Sequence, residues 1–256
     1  MDAALAEFEA RLSDIEGQLN FVASASRLRP RLNGVVRWEA GGDETALAAD
    51  FMRQKDARPE GLYAALLVRT LGALERFVRK CVSESVNRQA AASKTYESLA
   101  DPLRRRHLVL SGRLLATLDT PSDSVAFSPA DLVARLSTCR DGATDFKLNA
   151  ISFEAVVTGA NPSVVEKAFE NIGRSDLWDR VGTVPGVDSV LGCGGAGPRE
   201  TGKRAHERLR DLWKWRNSIA HAGDSEVVVS ERECREHIAF ARVFGRALEA
   251  VARGTS

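Results

Sequence analysis

The sequence has little cysteine, little proline and few aromatics: four cysteines, eight prolines and 6% Phe, Trp and Tyr in 256 residues. Cys81, Cys139, Cys193 and Cys234 are widely spread and form no C-x-x-C pair, which excludes a disulfide-built miniprotein and a zinc ribbon. They read as buried or incidental thiols of a protein in a reducing compartment, so a cytoplasmic location is expected. No stretch reaches the roughly 18 apolar residues of a membrane span. The acidic, amphipathic start lacks the basic head and apolar run of a signal peptide. Charge of one sign is missing too. Lys and Arg number 36 against 35 Asp and Glu, a net charge of +1, so any attraction to nucleic acid has to come from a local cluster. What remains is 44% hydrophobic and 28% charged, an ordinary globular composition, long enough to bury its own core.

The apolar pattern is helical. Leu5, Phe8, Leu12, Ile15, Leu19 and Val22 recur three and four residues apart, the spacing of a helix that packs along one face. The simplest reading docks this helix on its own domain; the sharper one makes it a partner or dimer helix. Residues 29–59, punctuated by Pro30, Gly34, Gly41, Gly42 and Pro59, read as a connector with a short strand at Gly34–Ala40. A long helix follows over about 60–90, with Leu62, Leu66, Leu67, Leu71, Leu74, Phe77, Val78 and Cys81 on its apolar face. Three Pro-initiated helices are expected at 100–118, 129–139 and 162–172, capped by Asp101, Ser128 and Asn161. After a glycine-rich stretch at 182–202 come a helix over about 203–221, a short strand at 226–230 and a last helix over about 231–252. The fold class is therefore all-α with at most a few short strands. Residues 1–55 form an N-terminal helix and connector, and 56–256 the main helical domain.

Three motifs fail on context. Gly192–Gly197 matches G-x-G-x-x-G, yet Pro198 follows and strands are scarce, whereas a dinucleotide site needs a strand before it. Gly197–Arg204 nearly matches a phosphate loop, but Arg204 stands where the Mg²⁺-binding Ser or Thr belongs. Cys234 and His237 lie three apart with no second pair to complete a zinc site. No metal or cofactor is implied.

The stretch around residue 210 carries more information. From Arg199 to Arg216 there are seven basic residues and three acidic ones, a basic segment in a neutral chain, as a phosphate-binding surface requires. Asn217 and His221 are four residues apart and share a helix face. Arg216 is turned about 100° away, with a side chain long enough to reach the same cleft. His221 falls near the helix end, where the dipole favours the imidazolium and suits proton transfer near neutral pH.

The Arg216–Gly223 segment resembles the HEPN superfamily, whose signature is an Arg, four to six intervening residues, then His. It is most similar to the RiboL-PSP-HEPN branch, in which Arg-Asn precedes an apolar-Ala-His-Gly ending; here Ala222 stands between His221 and Gly223. Arg232 to His237 and Arg199 to His206 also fit the bare spacing, but neither has Asn after the Arg. Tyr63–Val82 resembles the family's first core helix, and Asn161–Gly173 the segment before the signature helix. The resemblance covers about 60–253.

It implies a HEPN-type helical bundle that dimerises and a metal-independent endoribonuclease of toxin or antiviral-defence type. His221 would serve as general acid or base, Arg216 would bind the scissile phosphate, and Asn217 would orient phosphate or His. Arg208, Arg210 and Lys214 would contact RNA, as would the Arg104-Arg105-Arg106 run. Ser218 and Glu75 are supporting positions, Glu75 pairing either with Arg216 or with Arg79, its i+4 neighbour. Trp213 and Trp215 are read as packing residues, Trp213 in the core, over an alternative in which they stack on bases. The expected partners are RNA, a second copy of the chain, and an antitoxin or defence-complex protein, with no membrane. The competing class is a non-catalytic HEPN module that uses the same cleft for binding.

Overall fold

The computed structural model describes residues 3–35, 59–117, 128–221 and 228–254. Their helices in chain order are α1 (Ala3–Val35), α2 (Pro59–Ala92), α3 (Asp101–Thr117), α4 (Pro129–Thr138), α5 (Ala150–Glu154), α6 (Pro162–Asn171), α7 (Leu177–Thr183), α8 (Val187–Val190), α9 (Pro198–His221) and α10 (Glu231–Arg253), with a 3-10 turn at Tyr96–Ser98. Among the described residues there is no strand, and the fold is all-α. Gly34 and Val35, expected to open a strand, are the last turn of α1, and the rest of that stretch lies outside the described residues. Residues 228–230 have no regular structure, and 226–227 lie outside the described residues. No helix among the described residues is long and apolar enough to cross a membrane.

Three long helices, α1, α2 and α10, make the centre. The apolar line of α1 is buried as its spacing requires: Leu5, Phe8, Leu12, Ile15 and Leu19 belong to one core cluster with α2 and α10. Polar rungs fix the register. Glu84 accepts from the Ala4 amide at 3.1 Å, Arg76 lies 3.4 Å from Glu7, and Arg69 lies 3.1 Å from Asp14. Positions on the two helices therefore run in opposite directions. On the other flank Arg242 reaches Glu16 at 2.9 Å and Arg246 reaches Glu9 at 2.7 Å. Phe8 stacks on Phe77 with ring centroids 4.7 Å apart, and Gly245 faces the Phe8 ring so closely that a Cβ would overlap it. The docked reading of α1 therefore holds for this chain. Leu62 leaves the apolar face predicted for it and is 51% exposed. It lies near the end of the seam, where the register brings it opposite the exposed Phe21.

Local cap chemistry sets several boundaries. Ser128 Oγ accepts from the Asp131 amide and Asn161 Oδ1 from the Val164 amide, each with Pro at the first helical turn. Ser230 and Glu233 close a reciprocal capping box at the start of α10. The cap expected at Asp101 moves back one residue. The Ala100 carbonyl accepts from the Leu103 and Arg104 amides at 3.0 and 3.2 Å, and the Asp101 carboxylate instead holds Arg104 and Arg105. Against α3, the Asn149 amide N–H donates to His107 Nε2 at 2.9 Å, while its side-chain nitrogen donates to Ser111 Oγ and to the Leu132 carbonyl. This buried polar knot ties α3, α4 and α5 together.

Candidate signature-helix site

The candidate site is carried by α9, whose start agrees with setting two of the motifs aside on context. The helix begins at Pro198, earlier than the expected 203, because Pro suits the first turn, where its missing N–H has no partner to lose. Most of Gly197–Arg204 is thus helix rather than a phosphate-cradling loop. The preceding Gly192–Gly197 follows α8, not a strand, with Gly192 and Gly195 at φ of 63° and 84°. The glycines at 182 and 202 have a different use. A Cβ on Gly202 would meet the Trp178 carbonyl, and one on Gly182 the Pro198 carbonyl. The backbones of α7 and α9 therefore cross in direct contact, which fixes α9 from its first turns.

Ala205, Leu209 and Leu212 carry the buried line of α9. Arg216 continues this line one turn further, where the side chain is exposed. Its guanidinium Nη1 donates to Asn217 Oδ1 at 3.2 Å, so the two side chains converge although they leave the helix about 100° apart. His221, the last helical residue, stands one turn beyond Asn217, about 6 Å along the axis. Ser218 is exposed on α9, turned away from the Asn217 side.

The supporting residues separate. Arg210 and Lys214 are exposed on the Asn217 side. Arg208 faces α10, 3.5 Å from Glu236. Glu75 is held by Arg79, whose Nη2 donates to it at 2.6 Å while its Nε donates to the Val157 carbonyl at 2.8 Å. Of the two partners open to it, Glu75 thus has its own helical neighbour, and it braces α2. Trp215, not Trp213, packs on the core, its ring edge-on to His237 at 5.6 Å. The two rings leave α9 on opposite edges of the buried line, and the Trp215 edge is the one that faces α10 and His237.

The two other Arg-to-His spacings end in packed rings. His237 is buried, and desolvation, with a smaller contribution from Arg208, holds its imidazole down to about 4. His206 stands edge-on to Trp178 at 4.8 Å. Cys234 is buried against the Tyr63 carbonyl, and burial pushes its thiol up to about 11. Among the described residues no three His, Cys, Asp or Glu side chains cluster as metal ligands do.

The RiboL-PSP-HEPN family model matches residues 44–252, most of the chain. The chain belongs to the RiboL-PSP-HEPN family. Its matched region contains all of α2 to α9 and nearly all of α10, and leaves α1 outside. No curated protein and no solved structure gives a significant match. Within this HEPN protein, the sequence signature and the exposed Arg216–Asn217 pair coincide at the end of one helix.

Proposed function

We propose that this HEPN protein is an endoribonuclease that cleaves RNA without a metal, by attack of the ribose 2′-hydroxyl. The observation that carries the reading is the hydrogen-bonded Arg216–Asn217 pair, exposed on α9 one turn before His221. His221 takes the 2′-hydroxyl proton as the 2′ oxygen bonds to phosphorus. The phosphorus–O5′ bond breaks, and the leaving oxygen takes up a proton delivered by an imidazolium. Arg216 neutralises the charge that builds on the phosphoryl oxygens, which is where a preformed donor is worth most. Asn217, its Oδ1 held by Arg216, offers its amide N–H groups to phosphate. The products are a 2′,3′-cyclic phosphate and a 5′-hydroxyl. Two copies of α9 brought side by side in a homodimer would form the cleft, and a role in toxin or antiviral systems, with an antitoxin or defence partner, is the setting proposed.

The test is cleavage of total RNA in EDTA by the wild type and by His221→Ala, followed by end-group analysis. Cutting that the variant loses, with cyclic phosphate ends, supports the reading. Absence of cutting by either protein favours the non-catalytic binding module. Equal cutting by both removes His221 from the chemistry.

A further inference from the structure

The N-terminal end of α9 borders a cleft of about 610 Å³, the size of a small-ligand site. Its walls include Trp178, Asp179, Arg199, Lys203 and His206. The aromatic wall is rigid. Trp178 lies parallel to Phe244, with ring centroids 5.9 Å apart, and His206 meets it edge-on at 4.8 Å.

This cleft is joined to the signature end by one face of α9. At about 100° per residue, the positions of Arg199, Lys203, His206, Arg210, Lys214 and Asn217 fall within a sector of about 80°. His221 falls in the same sector. The three acidic positions of the helix, Glu200, Glu207 and Asp211, lie to one side of it. All four cations on the face are exposed. Arg199, Lys203 and Lys214 have no ion-pair partner among the described residues, while Glu200 is neutralised by Arg204 at 3.1 Å. From His206 to His221 the stripe is about 22 Å long, a few nucleotides of extended strand.

We propose that the cleft is a second nucleotide subsite, in which the Trp178–His206 wall stacks an unpaired base of single-stranded RNA whose phosphates follow the cationic stripe to His221. The inference rests on the ribonuclease reading and adds a substrate class to it: single strands long enough to span both ends of α9. The base, not the phosphate, enters the cleft, because its lining sets the carboxylates of Asp179 and Glu200 against Arg199 and Lys203 and so offers no net positive charge to hold an anion. Cationic grooves with aromatic platforms hold single strands in this way, with little sequence preference.

The experiment uses the full chain carrying His221→Ala, so that RNA stays intact. Binding of a fluorescent single-stranded RNA of about a dozen nucleotides is followed by anisotropy, beside a labelled trinucleotide too short to span the stripe. Adding His206→Ala or Lys203→Glu is expected to weaken the long RNA about tenfold and to leave the trinucleotide unchanged. Lys167→Glu, a charge reversal on α6 at an exposed residue that lines no part of the cleft, is expected to change little. Equal affinity in all variants overturns the subsite alone, as does a Lys167→Glu loss as large as that of Lys203→Glu. Failure of the His221→Ala protein to bind either RNA overturns the ribonuclease reading together with the subsite.

Discussion

Arg216 and Asn217 are joined by a hydrogen bond, and in the proposed site they would act as one unit, the guanidinium fixing the amide that would meet phosphate. Arg216→Ala and Asn217→Ala are each expected to slow single-turnover cleavage about 10²-fold, the usual worth of a preformed oxyanion donor. The double variant is expected to be little worse than the poorer single one, because residues that share a function lose it once. A second residue-scale prediction concerns acid. His107 is fully buried, and desolvation holds its imidazole down to about 4; His237 is held equally low. An unfolded histidine titrates near 6.5, so the unfolded chain binds more protons between about pH 6.5 and 4. Stability is therefore fully present above about pH 6.5 and lost as pH falls through about 4. For His107 protonation also removes the acceptor of the Asn149 amide. Denaturant midpoints at about pH 7 and about pH 5 should differ, and His107→Gln should flatten that difference. These partners were invisible in the sequence, because Asn149 meets His107 only through the fold. The Asn217–His221 relation was legible because i and i+4 neighbours follow from helix geometry alone. Glu75 lay between these cases: both candidate partners could be named, and the nearer, Arg79, proved to hold it.

The elements divide along the same line. Ser128 and Asn161 mark starts that depend on local chemistry, and the helices at 129 and 162 begin where those residues say, whereas the Ser230 cap of α10 is seen only in the structure. Ser230→Ala is expected to cost about 1 kcal/mol in chemical denaturation, the usual loss of an N-cap. The short helices α5, α7 and α8 left no readable period, since five, seven and four residues scarcely complete a turn or two. The early start of α9 was hidden for a different reason. Gly197 to Gly202 has the composition of a loop, and helix forms there because two glycines allow α7 and α9 to touch. Gly202→Ala is expected to cost about 2 kcal/mol or more, since a methyl group would have to displace backbone rather than a yielding side chain. Because α9 also carries Arg216, Asn217 and His221, the same substitution should reduce cleavage per folded molecule, measured at a temperature where the variant remains folded.

At the scale of the molecule, α1 is the surprise, because the family match begins at residue 44. Burying Leu5, Phe8, Leu12, Ile15 and Leu19 is worth about 2 kcal/mol per side chain, or about 10 kcal/mol gross, comparable to the whole stability of a typical domain. A helix of that weight is no detachable arm. A chain beginning at residue 44 is expected to aggregate or expose dye-binding apolar surface, and Leu12→Ala alone to cost about 2–5 kcal/mol in denaturant. Its place in the core also imposes an order on biosynthesis. Phe8 and Glu9 leave the ribosome more than two hundred residues before their partners Gly245, Arg242 and Arg246 of α10, yet they pack against them. The signature helix emerges before α10, so its side chains are made while the core beneath them is still open. Translation halted between residues 221 and 231 therefore releases a chain with Arg216, Asn217 and His221 all present and no finished scaffold to hold them. Such a fragment is expected to be degraded, and the signature helix gains its finished support only once α10 has been made.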